Sequence, residues 1–100
     1  MHEKIFQQQV ISRIERMLPG CYILKNDSTY IQGVPDILVL YGPKWAMLEI
    51  KRSAKDATPS KLRPNQALHT SRLSSMGFAE FIYPDNAEEI LHALQRALRS

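Results

Sequence analysis

The feature that most constrains this chain is an apolar run broken by one turn. Ile37-Leu38-Val39-Leu40-Tyr41 is followed by Gly42-Pro43, and then by Trp45-Ala46-Met47-Leu48-Glu49-Ile50. Five consecutive apolar residues read as a strand buried on both faces. Gly-Pro punctuates the run, and the connection is short enough that the second run returns as the other arm of a hairpin. Everything else must pack around that hairpin.

The flanking segments supply helices and further strands. Phe6, Val10, Ile14 and Met17 recur at helical spacing across 3–18, with Ile11 and Leu18 widening the stripe. Pro19-Gly20 stops that helix. Tyr22-Ile23-Leu24 is a short strand, and 25–32 is polar and turn-like, although Tyr30-Ile31 could extend a strand. The stretch 52–63 has no apolar periodicity and reads as a long loop. Loops of that length in compact domains are often functional. A helix is expected over 65–76, with Gln66, His69, Leu73 and Met76 facing inward and Gly77 as its C-terminal cap. A strand follows over 78–83. The last helix is expected to start at Asp85 with Glu88 completing a capping box, its core face being Ala87, Ile90, Leu91, Leu94 and Leu98. The order α-β-β-β-α-β-α over 1–100 gives one α/β domain. Its central sheet is mixed, because the strand from Phe78 follows a helical crossover and can pair in parallel.

The totals exclude several classes. With 44% apolar residues, the 100-residue chain is globular rather than disordered. No apolar run approaches a membrane span. The single cysteine, Cys21, forbids an intrachain disulfide and a cysteine-based zinc cluster. With no secretory pattern in Met1-His2-Glu3-Lys4, a cytoplasmic setting is expected. The net charge of +3 permits a polyanionic partner without demanding one. Lys44, Lys51, Arg52, Lys55, Lys61 and Arg63 crowd one stretch, which by itself reads as a solvated loop.

The hairpin places two acids together. Pairing around Gly42-Pro43 sets opposed positions summing to about 85, so Asp36 lies across from Glu49. Two carboxylates side by side in an apolar setting repel, and burial worsens the repulsion. Something positive belongs between them. Lys51 is one candidate, since strand alternation puts it on the face of Glu49. A divalent cation is the other. Asp36, Glu49 and the backbone carbonyl of Ile50 form a hard oxygen set suited to Mg²⁺ or Mn²⁺.

Gly33-Val34-Pro35-Asp36 followed by Glu49-Ile50-Lys51 resembles the PD-(D/E)XK nuclease superfamily. Within it, the chain resembles stand-alone VRR-Nuc nucleases, small phage and bacterial enzymes related to Holliday junction resolvases. The resemblance spans most of the chain, from Glu3 and Gln7 through Pro64-Asn65-Gln66 to Leu73 and Gly77. The Val-Arg-Arg tripeptide behind that group's name is absent. The resemblance implies a restriction-endonuclease-like core. It implies a metal held by Asp36, Glu49 and the Ile50 carbonyl, and Lys51 orienting or activating the attacking water. Glu3 would help hold the metal or its water, and Gln66 would buttress the site or touch a phosphate. It further implies cleavage of DNA to 5′-phosphate and 3′-hydroxyl ends, by a homodimer, in a bacterial or phage-infected cell. Arg52, Lys55, Lys61 and Arg63 would then contact phosphates.

The surface offers no recognition helix for reading base sequence. Branched DNA is therefore the expected substrate, with a flap or nicking activity as the nearest rival. A non-catalytic DNA-binding or assembly module keeping the same fold is the alternative from another class, and a small regulator whose basic loop binds protein or RNA is a second. Bland readings stand beside several residues. Glu3 suits a helix start, His69 a half-buried structural role, and Cys21 a small core residue. Tyr22, Tyr30 and Trp45 either pack or stack on bases.

Overall fold

The computed structural model describes residues 2–100. Helix α1 (Glu3–Met17) leads into strand β1 (Tyr22–Lys25), then β2 (Ile37–Tyr41) and β3 (Lys44–Ile50). Helix α2 (Gln66–Ser74) crosses to β4 (Phe78–Ile82), and α3 (Ala87–Arg99) follows. The sheet order is β1-β2-β3-β4, with β3 and β4 parallel and the other two pairs antiparallel. This is a small α/β fold with a four-stranded mixed sheet and three helices. No helix among the described residues is long and apolar enough to cross a membrane.

The hairpin register is the one the turn dictates. Tyr41 pairs with Lys44 and Ile37 with Leu48. Alternation then sends Ile37, Val39, Ala46, Leu48 and Ile50 to one face, where they join Phe6, Val10 and Ile14 of α1 and Leu91, Leu94 and Leu98 of α3. All of these are buried. At about 25 cal/mol per Å² of apolar surface, this shared layer is what holds α1 and α3 to the sheet.

The opposite face corrects an expectation. β2 is not buried on both sides: Leu38 is half-buried and Leu40 is 38% exposed. Helix α2 contacts β4 and covers only that side of the second face, leaving Tyr22 and Leu24 of β1 in water. Tyr30-Ile31 does not extend a strand either. The Asp27 carboxylate accepts the Thr29 N–H at 2.8 Å and its hydroxyl at 2.5 Å, which bends this stretch into a turn.

Two helix boundaries also differ. Helix α2 ends at Ser74, its buried residues are Gln66 and Thr70, and Met76 lies beyond it, exposed. The glycine at 77 is required by packing. A Cβ there would stand 2.6 Å from the Trp45 ring. Before α3, a 3-10 turn over Pro84–Asn86 shifts the helix start past Asp85. No Asp85–Glu88 box forms. Asn86 instead accepts the Tyr83 N–H at 2.8 Å and donates to the Phe81 carbonyl at 3.1 Å. Glu88 pairs with Arg13 of α1 at 2.6 Å. The long loop after β3 contains two short 3-10 turns, Ala54–Ala57 and Pro59–Lys61.

Candidate active site

The site forms where the β2–β3 ladder runs out. Asp36 precedes β2, and its carbonyl accepts the Asn26 N–H at 2.9 Å, continuing the pairing with β1. The Asn26 side chain donates to the Pro35 carbonyl at 2.8 Å. One residue past the Ile37–Leu48 pair, Asp36 and Glu49 are neighbours on the α2-covered face, as the turn symmetry requires. The Asp36 Oδ2 accepts the Ile50 N–H at 2.7 Å. In an extended residue the N–H and C=O leave the strand on the same side, so the Ile50 carbonyl projects toward Asp36 as well. Next in the chain, the Lys51 N–H donates to the Ile82 carbonyl of β4 at 2.9 Å and fixes the strand end.

Three side chains then close a buried cluster beside Asp36. Gln66, in the first turn of α2, donates from Nε2 to Glu49 Oε2 at 2.6 Å. Its Oε1 accepts from Lys51 Nζ at 3.1 Å and from the Arg63 backbone N–H at 2.9 Å. Lys51 Nζ stands 3.5 Å from Glu49 Oε2. Glu49 is only 3% exposed, and its other oxygen, Oε1, is buried without a partner among the described residues. Gln66 can reach in because the chain before it is tightly docked. Gly33, at φ +88°, lies so close to Asn65 that a Cβ would meet its backbone carbon at 2.7 Å.

Burial and the Asp36 charge push the Glu49 carboxyl from 4.5 up to about 7, against the opposing pull of Lys51. Asp36 is also raised, by burial first, while the Ile50 N–H, Lys51, Arg63 and a side-chain hydrogen bond with Glu49 work the other way. Both acids are thus held in surroundings that disfavour their charge. An unpartnered carboxylate oxygen inside the protein is costly unless something positive meets it. Asp36, Glu49 Oε1 and the Ile50 carbonyl are hard oxygen donors, and they fit Mg²⁺ or Mn²⁺. Lys51 alone does not complete the balance, because it lies on the Oε2 side of Glu49.

The remaining sequence-derived residues divide. Glu3 lines the same cavity of about 210 Å³ as Asp36, Glu49, Lys51 and Gln66. It also raises the Glu49 carboxyl electrostatically. Among the described residues, however, no three carboxylate, imidazole or thiol groups converge as a metal cluster, so Glu3 stands beside the acidic pair rather than joining it. Arg52, Lys61 and Arg63 line an adjoining cavity of about 540 Å³ with Lys51 and Glu3. Lys55 lines a third with Arg52 and Lys61. Lys44 leaves this group. It sits at the far end of β3, against the Ser100 carbonyl. Cys21 is half-buried and burial pushes its thiol up, which suits a packing residue and not a nucleophile.

Sequence reasoning missed Ser28, Gln32 and Val34, which line the acidic cavity, and the role of Asn26 behind Asp36. Only their nearness to Asp36 in the chain could have flagged them. No protein-family model matches the sequence, and no curated protein matches it.

Proposed function

We propose that this protein is a metal-dependent DNA endonuclease of the restriction-endonuclease-like kind, hydrolysing phosphodiester bonds in branched DNA. The observation that carries the reading is the buried, unpartnered Oε1 of Glu49 beside Asp36. A purely structural cluster gains nothing from an orphaned buried carboxylate oxygen.

Asp36, Glu49 and the Ile50 carbonyl would hold the ion. When bound, Mg²⁺ or Mn²⁺ supplies Lewis acidity toward a phosphate oxygen and acidifies water. Lys51 has three N–H donors and two acceptors within the cluster, Gln66 and Glu49. A proton that these two do not take would hold water against the phosphorus or neutralise charge gathering on the phosphate. Gln66 holds Glu49 and Lys51 in one orientation. Glu3 adds negative field at the cavity edge. Arg52, Lys55, Lys61 and Arg63 hold the DNA backbone over the site.

The test is cleavage of a labelled four-way junction beside a linear duplex, each with Mg²⁺, Mn²⁺ or EDTA, using the native chain and Lys51→Ala. The reading expects metal-dependent cutting that favours the junction and is lost in Lys51→Ala. DNA bound but uncut under every metal would replace it with a binding module. Light scattering of the same samples reads whether two copies pair, as the resemblance implies.

A further inference from the structure

The acidic cluster and the basic loop leave one side of the cleft without a role. Ser28, Gln32, Gly33 and Val34 line the acidic cavity and are absent from the basic one. The two cavities meet at Glu3, Lys51 and Arg63. The cleft therefore has unlike sides. One carries Arg52, Lys61 and Arg63, with Asp56 paired to Arg52. The other, residues 26–35, contains no lysine or arginine. Its single charge, Asp27, is turned back onto Thr29.

Between the cavity-lining Ser28 and Gln32 that neutral side carries Tyr30, 84% exposed, and Ile31, 42% exposed. The backbone bonds hold them there. The Asp27 carbonyl accepts the N–H of Tyr30 at 3.2 Å and of Ile31 at 3.4 Å, and the Ile31 carbonyl accepts the Val34 N–H at 3.3 Å. Gly33 pins the end of the loop against Asn65 and Gln66. An aromatic ring held in water, two residues from the cavity-lining Ser28 and Gln32, gives up the burial that normally stabilises it.

A DNA duplex shows phosphates on both flanks and hides its base faces. An unpaired strand shows phosphates along one edge and base faces along the other. A cleft with cations on one side and an exposed ring on the other matches the second pattern. We propose that Tyr30 is a stacking platform for an unpaired base of the strand whose phosphate lies at Asp36 and Glu49. The substrate class narrows to DNA with an unpaired stretch at the cut: a fork, a flap or an open junction centre. This deepens the nuclease reading and rests on it.

The experiment uses a forked DNA whose unpaired arm carries one 2-aminopurine, with a blunt duplex of equal length alongside. The full chain is titrated with Ca²⁺ replacing Mg²⁺, and the same DNAs are then cut with Mg²⁺. Stacking quenches the 2-aminopurine. Native chain and Tyr30→Phe should quench and bind the fork alike. Tyr30→Ala should lose the quench and bind the fork about ten-fold more weakly, the loss of one stacked base, with duplex binding unchanged. A fork bound and quenched equally by Tyr30→Ala overturns the inference, as does a native chain that prefers the duplex. Fork bound and quenched through Tyr30 but never cut would remove the nuclease reading and leave the stacking platform standing. Fork cut equally by both proteins would do the reverse.

Discussion

Gln66 donates to Glu49 at 2.6 Å with one end of its amide and accepts from Lys51 at 3.1 Å with the other. One neutral side chain thereby sets the orientation of the acid and of the ammonium. A residue supporting a metal ligand in this way is typically worth about 10–100-fold in metal affinity or activity. Gln66→Ala should weaken Mn²⁺ binding by that order, read by calorimetry. It also strands the Lys51 ammonium and the Arg63 N–H, at about 1–3 kcal/mol of stability. Unchanged Mn²⁺ affinity in a folded Gln66→Ala would deny the support.

The second prediction concerns pH. The Glu49 carboxyl sits at about 7 in the folded chain against an ordinary 4.5. The folded state therefore binds its proton more tightly than the unfolded state does. Metal-free stability should rise as pH falls from 7 toward 4.5, and the full penalty should apply above 7. Asp36 is raised too and acts in the same direction. Melting temperature measured in EDTA across this window should slope for the native chain and flatten in Glu49→Gln. Metal competes with the same proton, so Mn²⁺ affinity should fall on acidification. A native melting temperature that is flat between these pH values would contradict both statements.

Lys51 should separate cleavage from ion binding. Its ammonium lies 3.5 Å from Glu49 Oε2 and repels any second cation nearby. Lys51→Ala should lose cleavage by about 10²–10⁴-fold, the usual worth of a proton-handling group. It should bind Mn²⁺ at least as well as the native chain, because one competing positive charge has gone. Loss of both together would mean that Lys51 builds the site instead of acting in it.

Much of this site was legible because strand pairing is arithmetic. A two-residue turn at Gly42-Pro43 fixes every opposed pair, so Asp36, Glu49 and Lys51 converge without any tertiary knowledge. The core stripes of α1 and α3 were equally plain, since their period repeats several times. Helix α2 was harder. It is short, its inward face holds the polar Gln66 and Thr70, and Met76 falls outside it. By sequence Gly77 fits a helix cap, yet the ring of Trp45, far away in sequence, is what excludes a side chain there. The wall from Ser28 to Val34 had no periodicity to read, because its shape comes from Asp27 turning on Thr29 and from docking against Asn65.

The basic loop makes a graded prediction. Each phosphate contact removed should lower the slope of log affinity against log salt by about one. Among the described residues Lys61 makes no ion pair, whereas Arg52 Nε is held by Asp56 at 3.0 Å. Lys61→Ala should therefore reduce the slope more than Arg52→Ala in a filter-binding series on one DNA. Equal slopes for the native chain and both variants would place the DNA elsewhere.

Two glycines should fail in different ways. Gly77→Ala puts a methyl 2.6 Å from the Trp45 ring, on the sheet face beneath α2. Overpacking of this kind costs about 1–3 kcal/mol, and in a domain this small each kcal/mol moves the melting point by about 4–8 °C. Tryptophan fluorescence should report the disturbed ring, and cleavage should persist at low temperature. Gly33→Ala meets backbone instead, at 2.7 Å from the Asn65 carbon and 2.9 Å from the Gln66 nitrogen, and its φ of +88° is itself strained for alanine. Backbone cannot swing aside as a side chain can, so relief must come from moving the 27–33 loop or the start of α2. Movement of α2 displaces Gln66 from Glu49, and movement of the loop removes the backbone against which the start of α2 is docked. Gly33→Ala should therefore lose Mn²⁺ affinity and cleavage even at temperatures where it remains folded by circular dichroism. Should Gly33→Ala cut as well as Gly77→Ala at matched stability, the docking of that loop on α2 would have no bearing on the site.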